Sequence, residues 1–187
     1  KDFDRIGGDE GWILEEFQKG GEHVKVFLDH IRKGVELVLD NKDALLVFSG
    51  GQTRLSAGPR SEAQSYWEVA QSLEISPKNN LSFVSMTTEE YARDSYENLL
   101  FSICRFHEYT GHYPISITVV GFQFKRKRFV ELHRAAIKFP MKRFNYVGID
   151  LEDRMLSDQA AYQFRKDLYG CHGKLRQKKL QRNPFRR

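Results

Sequence analysis

Apolar positions along this chain alternate between a helical spacing of three or four and short continuous runs. Residues 23–40, "HVKVFLDHIRKGVELVLD", place Val24, Phe27, Ile31, Val35 and Val38 on one helical face. The run "ALLVFS" (44–49) is too short to be a helix of its own and reads as a buried strand. Next, "SEAQSYWEVAQSLE" (61–74) sets Ala63, Tyr66, Trp67 and Ala70 along one side of a second helix. The pattern then repeats. "LSFVSM" (81–86) predicts a strand, "SYENLLFSICRFHEYTG" (95–111) a helix closed by Gly111, and "ISITVVGF" (115–122) a β-branched strand. "RFVELHRAAIKF" (128–139) predicts a helix stopped before Pro140, and "FNYVGI" (144–149) a fourth strand.

Helices alternating with buried strands imply an α/β fold with a mostly parallel sheet covered on both faces. That domain is expected over 23–150. Before it, residues 1–22 hold "WILEEFQ" between two glycine pairs and predict a short helix with flexible joints. After it, 151–173 predict one more helix and a loop, and 174–187 a basic extension.

Composition changes this picture in two places. The net charge of +5 looks like a nucleic-acid signal, but "KLRQKKLQRNPFRR" (174–187) carries seven Lys or Arg and no acid. The remainder holds 23 of the 30 basic residues against all 25 acidic ones, so the basicity belongs to the extension. Such an extension is expected to be solvated, or to dock on an acidic protein or anionic surface, rather than to bind nucleic acid. Secondly, Cys104 and Cys171 make neither a metal-ligand spacing nor a disulfide framework. No apolar run approaches the roughly 18 residues that cross a bilayer, and neither end carries a signal-peptide pattern, so the compartment stays open.

Ligands of open α/β sheets bind outside the carboxyl ends of the strands. Four segments follow strands and so share one edge: "SGGQTR", "TTEEYARDSYEN", "FQFKRKRF" and "GIDLED". In the first, Gly50 and Gly51 would bring backbone amides close to an anion, beside Ser49, with Arg54 supplying a fork of donors. Ser61 with Gln64, and Asp94 with Glu97, read as helix-capping boxes. That leaves Glu62, Arg93 and Asn98 without a helix-starting role. Lys125 and Arg128 stand where a strand gives way to a helix, against the helix dipole, so a partner anion or acidic side chains is expected there. Asp150, Glu152 and Asp153 either pair with that basic run or hold a hard cation such as Mg²⁺. No nucleophile elbow surrounds Ser49.

These segments in this order resemble the SanA/YdcF-like family, known as domain of unknown function 218, over roughly 44–150. The likeness rests on "SGG", "SEA", "EEYARDSYEN" and the strand before "FKRKRF". These correspond to the family's strand–glycine loop, its Ser-Glu-Ala helix start, its Glu…Arg-Asn-Thr-x-Glu-Asn block and its strand before a His-x-x-Arg turn. "FSGGQTR", "ARDSYENLLFS" and "RNPFRR" look closest to eukaryotic members. The resemblance implies a Rossmann-like three-layer sandwich with a pocket at the strand ends, and S-adenosylmethionine or a nucleotide as candidate ligands. It implies site roles for Ser49, Gly50, Gly51, Ser61, Glu62, Glu89, Arg93, Ser95, Glu97 and Asn98. Lys125 and Arg128 replace the His-x-x-Arg pair, so histidine-based proton transfer is not expected. The family's first strand and glycine loop have no counterpart after Lys1.

The leading expectation is therefore an anion-binding α/β domain. Gly50 and Gly51 would donate amides, Arg54 and Arg128 would neutralise charge, and Glu62 and Glu97 would accept hydroxyls or act as acid and base. Two others stay open: an interaction module docking through 174–187, and a metal-assisted phosphoester hydrolase using Glu89, Asp150 and Glu152.

Overall fold

The structure, a computed structural model, describes residues 7–20, 22–72, 85–150 and 157–186. The chain is mixed α/β with parallel strand pairs. Helix α1 is His23–Leu39, β1 Leu46–Ser49, α2 Glu62–Ser72, β2 Met86–Glu89, α3 Ser95–Thr110 and β3 Ile117–Gly121. A π-helical segment, Arg128–His133, then runs into the short turn α4, Arg134–Ala136. Strand β4, Phe144–Gly148, precedes α5, Ser157–Lys166, and α6, Gly173–Gln181. The "WILEEFQ" region forms no helix beyond one 3-10 turn, Glu16–Gln18.

The predicted apolar stripe of α1 is buried at every named position, with Val35 and Ile31 the most deeply. Its buried face is wider than the stripe, taking in His23, Val26 and Leu28 as well. Against it pack Phe48 of β1 and Ala63 and Ala70 of α2, whose small side chains let the helices approach. A second cluster joins Leu99, Phe129, Phe144 and Tyr146. A third joins Tyr96, Phe164 and Leu175.

All four strands form, but not as one sheet. β1 pairs with β2 in register Leu46↔Met86 to Ser49↔Glu89, and β3 with β4 from Ile117↔Phe144 to Gly121↔Gly148. The described residues contain no ladder joining β1 to β3; α1 spans both by packing on each. The second strand lies later than "LSFVSM" predicts, starting at Met86; residues 81–84 are outside the described set. Its short polar sequence, "MTTE", buries Thr87 and Glu89 because both carry hydrogen-bond partners, Arg105 and Ser49.

The largest difference lies at the basic end. Residues expected to form a solvated extension make the helix α6, packed against α5, with Leu175 and Lys179 buried. One leucine and one lysine four residues apart give that helix its inner stripe. Lys179 reaches Asp94 and Glu97 at the start of α3 (3.2 and 3.1 Å).

Candidate functional site

The strand-to-loop exit of β1 is built on backbone contacts. Gly50 N–H donates to Glu89 O (3.0 Å) and Gly51 N–H to Ala92 O (2.8 Å). The two glycine carbonyls accept from Ala63 and Glu62 N–H. Gly50 and Gly51, expected to offer amides to an anion, have spent them on the end of β2 and the loop after it, and their carbonyls on the start of α2. What demands glycine is close approach: a Cβ on Gly51 would lie 2.8 Å from Ala92 O, and one on Gly50 2.9 Å from Glu62 Cβ. Since a backbone carbonyl cannot swing aside, Gly51→Ala is expected to cost about 1–3 kcal/mol, read by chemical denaturation. A variant as stable as the parent would show that these loops do not meet as described.

The exit of β2 is knitted just as closely. Ser49 Oγ donates to Glu89 Oε2 (2.5 Å), while Glu89 Oε1 accepts from Tyr91 N–H (2.6 Å) and Ala92 N–H (3.0 Å). Burial pushes the Glu89 carboxyl up, against these donors. Its oxygens are committed to the fold, which removes it as a free metal ligand. Asp94 caps α3 as expected, accepting from Tyr96 and Glu97 N–H at 2.9 Å. Glu97 does not complete the box; its Oε2 accepts from Arg93 N–H (2.9 Å), and the Arg93 guanidinium clasps both its oxygens. Burial pushes the Glu97 carboxyl up, but Arg93 and Lys179 outweigh it and hold it below the usual range. Glu97 is thus a clamped anion rather than an acid or base for neutral pH. Ser95 Oγ lies 2.9 Å from His133 Nε2, and Asn98 O accepts from Ser49 Oγ (3.4 Å). Ser61 Oγ accepts from Gln64 N–H (2.9 Å), a cap and nothing more.

The cations lie elsewhere, on the turn after β3 and in the C-terminal segment. Lys125 lies 5.0 Å from the centre of the Phe122 ring, and the Arg128 guanidinium 5.9 Å from that of Phe164. Burial, then Arg128, Arg182 and Lys178, push the Lys125 amine down to about 7, with Glu62 opposing. Burial and Arg182 push Arg128 down to about 10 despite Tyr146 and Asp94. Burial and then Arg54 depress Arg182; burial, Arg182, Arg128 and Arg54 depress Lys178. Arg54, expected to meet the ligand, pairs with Glu15 of the N-terminal segment (2.6 Å) but still contributes to this field. Exposed Glu62 gives one oxygen to Tyr66 OH (2.9 Å) and lies against Gly50. Sequence reasoning missed Lys178 and Arg182. Their four-residue spacing beside Leu175 and Lys179 was the available signal.

The structure therefore brings Glu62, Lys125, Arg128 and Arg54 into one electrostatic neighbourhood and turns the Ser49–Glu89–Arg93–Glu97 set into scaffold. Among curated proteins the chain matches Uncharacterized protein YOR238W of Saccharomyces cerevisiae, 33% identical over 230 residues, covering 95% of this chain and 75% of the yeast protein. The chain belongs to the YOR238W family. No protein-family model matches it, and no solved structure does.

In this member of the YOR238W family, Asp150 Oδ2 accepts from Phe124 N–H (3.2 Å), tying the end of β4 to the turn that carries Lys125. Glu152 and Asp153 lie outside the described residues. Among the described residues no group of three or more His, Cys, Asp or Glu is placed to hold a metal ion. None of the described helices is long and apolar enough to cross a membrane. A narrow cleft of about 10 Å³ opens where the C-terminal segment meets the strand ends, lined by Gln52, Tyr91, Arg93, Arg182, Asn183 and Phe185. Gln52 is 9% exposed and its Oε1, buried in this wall, has no hydrogen-bond partner.

Proposed function

We propose that this chain is a Rossmann-like domain of SanA/YdcF type that binds an anionic small molecule at the carboxyl ends of its strands. The carrying observation is that burial first, and then one another's charge, loosen the protons of Lys125, Arg128, Lys178 and Arg182, which come from two parts of the chain. Like charges half-removed from water are costly, and a fold that keeps them together gains most from an anion between them. Packing of α1, α2 and α3 on the strands supports a three-layer reading, since α2 and α3 both contact β1 and β2. A nucleotide or phosphorylated metabolite suits the charge best. S-adenosylmethionine suits it less, because its sulfonium would face the same cations.

Binding should be pH-dependent in one direction. The anion favours protonated Lys125, whose amine titrates at about 7 in the free protein. Affinity for phosphate compounds is therefore expected to fall as pH rises from 6.5 to 8.5, with proton uptake on binding near pH 7.5. Calorimetry in buffers of different ionisation enthalpy reads that uptake, and Lys125→Gln should abolish it. Absence of stabilisation by any phosphate compound at millimolar concentration between pH 6 and 8 would refute the proposal.

A further inference from the structure

The basic C-terminal helix has the geometry of a wall, not of an appendage. Leu175 sits in the apolar cluster with Tyr96 and Phe164, and Lys179 is held by Asp94 and Glu97. Just past the helix, Arg182 Nη1 donates to Arg93 O (3.0 Å), fixing the segment over the exit of β2. These anchors decide which residues face the strand ends. With 175 and 179 turned inward, Lys178 and Arg182 share the adjoining stripe, four residues apart. Arg182 lines a cleft with Gln52 of the loop after β1 and Arg93 of the loop after β2. The Arg128 guanidinium lies over Phe164, which clusters with Leu175 of α6, and the charge of Arg128 felt by Lys178 agrees with that placement. Beside Arg182, Gln52 lines the same cleft, with its side-chain oxygen buried in the wall.

We propose that α6 completes the anion site, and that Lys178 and Arg182 select a ligand with two or more adjacent negative charges, such as a diphosphate or triphosphate group. This inference rests on the anion-binding reading above and sharpens it. A single phosphate is matched by one or two cations; here Lys125 and Arg128 from the turn after β3 share a field with Lys178 and Arg182 from the C-terminal segment. The site's positive excess is worth most to a ligand that returns more than one charge.

The test is calorimetric titration of the whole chain with orthophosphate, pyrophosphate and tripolyphosphate at constant ionic strength. Pyrophosphate is expected to bind roughly tenfold or more tightly than orthophosphate. Lys178→Gln and Arg182→Gln should each weaken pyrophosphate by roughly tenfold and narrow that preference. Arg176→Gln, which removes one charge from an exposed position of the same helix, should leave both unchanged. Because Arg182 also anchors the backbone, exposed Lys178 is the deciding variant, with circular dichroism confirming the fold. If pyrophosphate binding survives Lys178→Gln but is lost in Lys125→Gln, an anion binds at the strand ends and the helix is not its wall. If neither variant changes it, or the parent chain binds none of the three anions, the underlying reading falls too.

Discussion

Replacing Lys179 by methionine is expected to lower folding stability by about 3–5 kcal/mol, the usual cost of stripping one partner from a buried ion network. Its side chain is 11% exposed, and the carboxylates of Asp94 and Glu97 that it serves are 6% and 7% exposed. Its ammonium also donates to Tyr169 O (2.8 Å), closing the turn between α5 and α6. Methionine fills the space but leaves Asp94 without its cation and Glu97 with Arg93 alone. For a domain of this size the midpoint should fall by roughly 2–4 °C per kcal/mol. The pH window has two edges. Burial pushes Lys179 down, but Asp94 and Glu97 raise it above its ordinary 10.5, so its stabilisation is present below that value and lost as pH climbs past the folded one. Glu97 is held below its ordinary 4.5, so its share is present above that value and lost as pH falls through the folded one. Urea denaturation at pH 7 measures the difference. A loss under about 1 kcal/mol would mean an exposed pair, and α6 would not be docked as described.

That dependence on one lysine explains how much of the fold was legible in the chain. Val24, Phe27, Ile31, Val35 and Val38 announce α1 because a long apolar stripe survives any neighbour. β3 is equally plain, being β-branched and apolar, and β4 alternates the buried Phe144 and Tyr146 with the exposed Asn145. The helix at the C-terminus was not. Its inner stripe is Leu175 and Lys179, and a lysine counts as inward only once Asp94 and Glu97, far off in sequence, are known to meet it. Local pattern cannot see a partner supplied by tertiary contact, so seven basic residues looked like solvent-exposed charge.

The candidate site divides in the same way. Chain order places Glu62, Lys125 and Arg128 after strands, and the three do share one field. The roles given to Gly50, Gly51, Glu89 and Glu97 could not be read from that order. A glycine pair after a strand marks close approach by something; whether that is a ligand or the backbone of residues 90–92 depends on where a second loop runs. The block "EEYARDSYEN" carries the family likeness, yet its acids and its arginine hold one another. Their chemistry is spent on fixing the loop from which the cations of the C-terminal segment hang. Lys178 and Arg182 therefore depend on that loop, while Lys125 and Arg128 hang on the turn after β3.

The second large effect is expected at acid pH and comes from His133. It is fully buried among the rings of Phe164 (4.5 Å), Phe129 (5.1 Å) and Tyr96 (5.8 Å), with Nε2 on Ser95 Oγ at 2.9 Å. Burial, then Arg128 and Lys179, push its imidazole from 6.5 down to about 3. Between those values the unfolded chain binds a proton that the folded one refuses. Stability attributable to this group is therefore complete above pH 6.5 and declines as pH falls, by about 1.4 kcal/mol per unit. It levels off only near the folded value, after a loss on the order of 4–5 kcal/mol. His133→Gln keeps a group that can meet Ser95 Oγ but cannot titrate. Carboxylates contribute acid sensitivity to both proteins, so the decisive quantity is the difference between their curves. The parent's stability should drop more steeply than the variant's by close to one proton between pH 6 and 4. Parallel curves would mean that His133 takes up its proton in the folded state, which its buried ring packing and the adjoining Arg128 forbid.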